Sequence, residues 1–68
     1  MSNQVDNQVS VLRRRRGITQ EELAQAVGVS RQTVIAIEKG NYIPSLLLGL
    51  KIAGYFKIPV EKIFSVSL

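Results

Sequence analysis

The sequence predicts an all-α fold, a compact five-helix domain in which the second and third helices form a helix-turn-helix. Three observations predict it. Residues that start helices (Thr19, Ser30, Ser45) alternate with glycines that end them (Gly17, Gly28, Gly40). Apolar residues between these marks recur three or four apart, as on one face of a helix. Only Gly28 and Val29 separate the end of the second helix from Ser30, so the third starts after a tight turn and crosses its neighbour steeply. A chain of 68 residues makes one domain, with a core expected over about residues 9–64 and no repeat or linker.

Val9 and Leu12 give the first helix an apolar stripe ending at Gly17, and Arg13 to Arg16 lie where a helix C-terminus favours positive charge. Thr19-Gln20-Glu21-Glu22 is a capping box, in which the Thr19 hydroxyl accepts from the Glu22 N–H and the Glu22 carboxylate from that of Thr19. The second helix then runs to about Val27, with Leu23, Ala24 and Val27 on its buried face and Gly28 suited to a left-handed exit. Ser30 caps the third helix, Gly40 ends it, and Pro44 holds Ile43 extended in the loop that follows. The fourth is expected from about Ser45 to Phe56, with Leu46, Leu50, Ala53 and Phe56 facing the core. Its Gly49 and Gly54 each weaken the helix by roughly 1 kcal/mol relative to Ala, which points to close backbone packing. Ile58-Pro59 breaks it, Val60 to Phe64 form a last short turn of helix, and Ser65 to Leu68 alternate polar and apolar as a short strand does. Met1 to Asn7 and Ser65 to Leu68 are expected to lie outside the helical fold.

Composition narrows the chemistry. The chain has no cysteine and no histidine, which removes disulfides, thiolate zinc sites and Cys or His nucleophile-base pairs. No metal, cofactor or small-molecule ligand is expected, and no catalytic residue. Glu21 and Glu22 do not make a carboxylate dyad, because adjacent helical residues diverge by about 100 degrees and Glu22 belongs to the cap. Nine Lys and Arg against five Asp and Glu give a net charge of +4, which favours a polyanionic partner. The apolar stretches are interrupted by Pro44, Gly49, Lys51 and Gly54, short of the roughly 20 residues of a membrane span, so no membrane partner is expected. Met1 to Ser10 lack the basic-then-apolar order of a signal peptide, and a cytoplasmic location is expected. A mean hydropathy of +0.13 is high for so short a soluble chain and leaves apolar surface for a partner.

The third helix carries the functional pattern. At about 100 degrees per residue, Thr33, Val34 and Ile37 share the side that packs on the first two helices, leaving Arg31, Gln32, Ile35, Ala36 and Lys39 on the other. That face suits a major groove: Gln pairs with adenine, Arg with guanine or phosphate, and a short apolar side chain touches a thymine methyl. A plain solvated helix face has the same periodicity.

Gly17-Ile18-Thr19-Gln20-Glu21-Glu22-Leu23-Ala24, then Val27-Gly28-Val29-Ser30-Arg31-Gln32-Thr33-Val34, then Ile37-Glu38-Lys39-Gly40 and Pro44-Ser45-Leu46 resemble the lambda-repressor/Cro-like helix-turn-helix family, also called the Xre family. The likeness covers about Val9 to Phe64 and is nearest to the small stand-alone regulators, with Ile43 where these carry Asn. The resemblance implies a lambda-repressor-like DNA-binding domain in a prokaryote, nucleoid-associated or phage-encoded, that dimerises on a palindromic operator in double-stranded DNA. It implies base reading by Arg31, Gln32 and Ala36, with Ile35 adding an apolar contact because Ala36 has no hydrogen-bonding side chain. It implies a DNA-backbone role for Gln20, for Thr19, Ser30, Thr33 and Lys39, and for Asn41 and Tyr42 in the loop. It also implies that Arg13 pairs with Glu38 and ties the first helix to the third. Two readings stand for Arg14, Arg15 and Arg16: phosphate contact for one or two of them, or a solvated helix end.

The functional expectation is a sequence-specific transcriptional regulator, a repressor acting as a homodimer through Leu47, Leu48, Tyr55, Val66 and Leu68, and not an enzyme. An alternative of a different class is an antitoxin-type protein-interaction module that also binds DNA.

Overall fold

The second, third and fourth helices begin directly after the residues expected to cap them, Thr19, Ser30 and Ser45. The computed structural model of the chain describes residues 4–67, in the order β1 (Gln4–Asn7), α1 (Val9–Arg16), α2 (Gln20–Val27), α3 (Arg31–Glu38), α4 (Leu46–Phe56), α5 (Val60–Ile63) and β2 (Phe64–Ser67). Thr19 and Glu22 form both halves of the capping box at 3.0 and 2.8 Å, and the Ser30 and Ser45 hydroxyls accept from the N–H groups of Thr33 and Leu48. Gly17, Gly28 and Gly40 all take positive φ, between 68° and 79°, the region an L side chain disfavours. Gly40 N–H reaches the Ile37 carbonyl and Asn41 N–H that of Ala36, so α3 closes in a Schellman motif.

The core is a cluster of Val9, Leu23, Ala24, Val27, Val34, Ile37, Leu48, Ile52, Ala53, Phe56 and Ile63, drawn from all five helices. Leu23, Ile37, Ile52 and Ile63 are among its fully buried side chains, and each contributes roughly 1.5 to 3 kcal/mol by leaving water. α2 packs on both α3 and α4, which sets the angle at which α3 leaves the turn.

Helix α4 faces the core differently from the expectation. Leu48, Gly49, Ile52, Ala53 and Phe56 are buried, whereas Leu46, Leu47 and Leu50 are 75%, 64% and 50% exposed. The physical reason is that α4 is apolar nearly all round, so periodicity cannot choose its inner face; packing against α2 and α5 chooses it. Leu48 is therefore a core residue and is withdrawn as an intermolecular contact. Gly54 likewise sits in the open, with nothing within 4 Å of where a Cβ would stand, and Gly49 would place a Cβ at ordinary contact distance, 3.8 Å, from Val60. Neither glycine is required by close packing within the chain.

Contrary to expectation, neither Gln4–Asn7 nor residues 65–67 lie outside the fold. β2 forms as the alternation at Ser65 to Leu68 predicts, but it pairs antiparallel with Gln4–Asn7 in the register Gln4 to Ser67, Val5 to Val66, Asp6 to Ser65 and Asn7 to Phe64. Gln8 N–H extends the ladder by donating to the Ile63 carbonyl at 2.9 Å. The ribbon so formed leads directly into α1 and out of α5. Leu68 lies outside the described residues.

Candidate nucleic-acid interface

Three helices meet at one carboxylate. Arg13 on α1 donates from Nε to Glu38 Oε2 at 2.7 Å and from Nη2 to Oε1 at 3.2 Å, and its Nη1 donates to the Ile18 carbonyl at 3.0 Å. Gln20, the first residue of α2, donates from Nε2 to the same Glu38 Oε1 at 3.0 Å. Both side chains of the ion pair are largely buried, at 12% and 8% exposure. The hydrogen bond to Glu38 raises the Arg13 guanidinium above its ordinary pKa, against the opposing pull of desolvation. Charge is thus balanced locally, and the last turn of α3 is tied to α1 and to the start of α2.

Against this hub opens a groove of about 590 Å³ lined by Arg13, Gly17, Ile18, Thr19, Gln20, Glu21 and Arg31. It brings the N-terminus of α2 beside the first turn of α3. The unpaired N–H groups of a helix start carry partial positive charge, and Arg31 adds a full one across the groove. Such a notch accepts an anion of phosphate size. Gln20 is well placed in it, because a carboxamide nitrogen has two N–H groups and the bond to Glu38 uses one.

Beyond the groove, α3 turns outward. Gly28 and Val29 both donate to the Ala24 carbonyl, at 2.9 and 3.0 Å, closing the turn between α2 and α3 within two residues. Arg31, Gln32 and Lys39 are exposed, and Ile35 and Ala36 are half-buried at the margin of the same face. Ser30 and Thr33 share a hydroxyl–hydroxyl bond of 3.0 Å at the start of α3. Asn41 and Tyr42 stand exposed just past its end, in the loop to α4. Thr19 is exposed at the groove rim. The chain thus brings the α2 start and Arg31, the first residue of α3, to one groove.

The arginine run divides. Arg16 donates from Nη1 to the Tyr55 carbonyl at 3.1 Å and from Nη2 to the Phe56 carbonyl at 3.0 Å, and its guanidinium carbon lies 5.4 and 5.3 Å from those two ring centroids. It therefore caps the C-terminus of α4. It is exposed, as a solvated helix end is, but the bonds to the end of α4 were not part of either reading of the sequence. Arg14 and Arg15 are exposed. Asn7 is the other residue that sequence reading missed, since it joins β1 to both α1 and α3; an Asn just before an apolar stripe is the one local signal that marks it. Among the described residues no group of three carboxylates or other metal-binding side chains comes together, and no helix is long and apolar enough to cross a membrane.

Comparison with known proteins decides the family, for the helix-turn-helix model HTH_3 matches residues 11–63. The chain belongs to this helix-turn-helix family. It is 57% identical over 58 residues to the uncharacterised HTH-type transcriptional regulator YgzD of Bacillus subtilis (strain 168), covering 85% of this chain and 88% of that protein. It is 38% identical over 56 residues to the cryptic phage CTXphi transcriptional repressor RstR of Vibrio cholerae, which is 82% of this chain and 50% of that protein. Among solved structures, the restriction-modification controller protein C.AhdI from Aeromonas hydrophila matches with a TM-score of 0.75 and 33% identity, over 81% of this chain and 83% of that one. The resemblance to the Xre family and the five-helix fold expected from it both hold, and the protein is a DNA-binding helix-turn-helix regulator by family. In it, α2 and α3 are the helix-turn-helix pair.

Proposed function

We propose that this protein is a sequence-specific transcriptional repressor that binds a palindromic operator as a homodimer, with α3 of each copy in a major groove. The observation that carries this reading is the groove between the start of α2 and Arg31, beside an α3 whose Arg31, Gln32 and Lys39 point to solvent. A strand phosphate in the groove would be held by Gln20 and the first N–H groups of α2, with Thr19 at the rim, and this would fix how deeply α3 enters. Gln32 and Arg31 then meet base edges, Ile35 and Ala36 offer apolar contact to a thymine methyl, and Ser30, Thr33, Lys39, Asn41 and Tyr42 hold the flanking backbone. The link of Gln20 to Glu38 gives the phosphate contact a consequence: a residue that touches backbone also braces the reading helix. Similarity to RstR, a transcriptional repressor, and to YgzD, an HTH-type transcriptional regulator, supports regulation as the outcome.

The test begins with selection of duplexes from a random pool by the wild-type protein. The selected sequence is expected to be palindromic and its log affinity to fall linearly with log salt, as phosphate neutralisation releases counterions. Gln32→Ala is expected to cost about 1 to 3 kcal/mol on the selected duplex and to relax base choice at one position of each half-site. Gln20→Ala is expected to weaken selected and random duplexes alike. Equal losses on both duplexes for both variants would remove α3 from base reading.

A further inference from the structure

We propose that Asn7 is a positioning residue for DNA reading, acting through α3 without touching DNA; the proposal rests on the assignment of α3 as the reading helix. The Asn7 carboxamide makes two bonds in opposite directions. Its Oδ1 accepts from the Val9 N–H at 3.1 Å, and its Nδ2 donates to the Ile37 carbonyl at 2.9 Å, thirty residues away in sequence. The first is an Asx turn that starts α1. The second fastens the far end of α3. Asn7 itself is held in place by β1, where it stands opposite Phe64 of β2. One side chain therefore joins the terminal ribbon, the start of α1 and the last turn of α3, and it lies outside the residues 11–63 that define the family match.

The Ile37 carbonyl is one of the last in α3, where the helix supplies no partner four residues on. It accepts from Gly40 N–H at 3.0 Å, and Asn7 adds a second donor. With eight residues, α3 is barely two turns long, and its last turn is held from one side by Arg13 and Gln20 through Glu38 and through its backbone by Asn7. Base recognition tolerates displacement of only about 0.5 Å and 10 to 20 degrees. Releasing one of these two anchors lets α3 pivot about its capped N-terminus and spreads the positions of its reading side chains. The first N–H groups of α2 and Thr19 lie outside that pivot, and Gln20, Lys39 and Tyr42 have side chains long enough to follow phosphates that every sequence presents alike. Loss of the Asn7 bond is thus expected to blur sequence choice and to leave non-specific affinity in place.

Asn7→Ser and Asn7→Asp separate this role from simple capping. Both replacements retain an oxygen for the Asx or ST turn to Val9, and neither donates to the Ile37 carbonyl: Ser is too short, and Asp offers only acceptors. With duplexes selected by the wild-type protein, and well below the melting temperature, each variant is expected to lose about three- to tenfold in affinity for the selected duplex, the worth of a hydrogen bond, while affinity for random duplex stays within about twofold. The Gly40 amide resonance, whose N–H shares the Ile37 carbonyl, is expected to move in both variants. Wild-type affinity for the selected duplex in both variants would overturn the proposal, as would equal loss on selected and random DNA. A wild-type protein that enriches no sequence would overturn the DNA reading itself, and with it this role.

Discussion

Glu38 takes three N–H donors from two other helices, so removing it does more than delete a charge pair. It strands a largely buried guanidinium and frees Gln20 from α3. Glu38→Ala is expected to destabilise the fold by about 3 kcal/mol, the lower end of the range for breaking a buried pair, because a little of it remains in contact with water. Glu38→Gln, which keeps one acceptor for Gln20, is expected to lose less; thermal or urea unfolding of the two variants checks both, and an unchanged midpoint for Glu38→Ala would show that the pair adds nothing. Arg13 makes no pH-dependent contribution near neutrality. Its folded pKa is raised, so its stabilising effect is complete below the ordinary guanidinium value and is lost only as pH rises through the still higher folded one. At this scale the sequence was legible in part. Arg13 and Glu38 stand 25 residues apart, and only likeness to a known family pairs them, whereas nothing near Arg16 or Asn7 in the chain announces the Tyr55, Phe56 and Ile37 carbonyls they bind.

Helix boundaries were legible because capping is local: Thr19, Ser30 and Ser45 accept from N–H groups three residues on, and the glycine exits need only their own φ. The inner face of α4 was not, since an apolar surface on every side leaves the choice to its neighbours, and β1 was not, since its partner lies at the other end of the chain. Two positions in and after α4 depart from their backbone's preference and yield a paired prediction. Gly54 is helical, exposed and unencumbered, so Gly54→Ala is expected to stabilise by about 0.5 to 1 kcal/mol. Lys57 ends the helix at φ 58°, the single non-glycine residue with positive φ among those described. A left-handed L residue costs about 1 to 2 kcal/mol and glycine's extra freedom in the unfolded chain returns about 0.4 to 1 kcal/mol, so Lys57→Gly is expected to gain a net amount of about 0.5 kcal/mol. Denaturant midpoints of both variants measure this, and a loss of stability in Gly54→Ala would mean that the open side of α4 is covered in solution.

What covers α4 is a question for the whole molecule. The chain measures 36 × 23 × 21 Å, about the length of a single turn of DNA, and has one helix-turn-helix, whereas tight operator binding by helix-turn-helix proteins uses two, roughly 34 Å apart in successive major grooves. A two-fold pair supplies the second. Of the contacts expected from the sequence, Leu48 belongs to the core, Tyr55 is half-buried beside Arg16 and Leu68 lies outside the described residues, whereas Leu47 and Val66 are 64% and 60% exposed. Leu46 and Leu50 extend Leu47 into one stripe, since at about 100 degrees per residue the three leucines fall within a quarter to a third of the helix circumference, and Ile43 adjoins its start at 63% exposure. An apolar stripe of this kind, off the face of Arg31 and Gln32, suits a symmetric contact with its own copy. Sedimentation of the wild-type protein is accordingly expected to show a dimer at micromolar concentration. Leu47→Glu, which adds a like charge from each copy without touching the core, is expected to shift the equilibrium to monomer while leaving the unfolding midpoint of the monomer unchanged. Affinity for the selected palindrome should fall in step with dimerisation, and affinity for an isolated half-site should not. A monomeric wild type that binds the full palindrome tightly as one unit would exclude the pair, and a Leu47→Glu variant still dimeric would move the contact to another face.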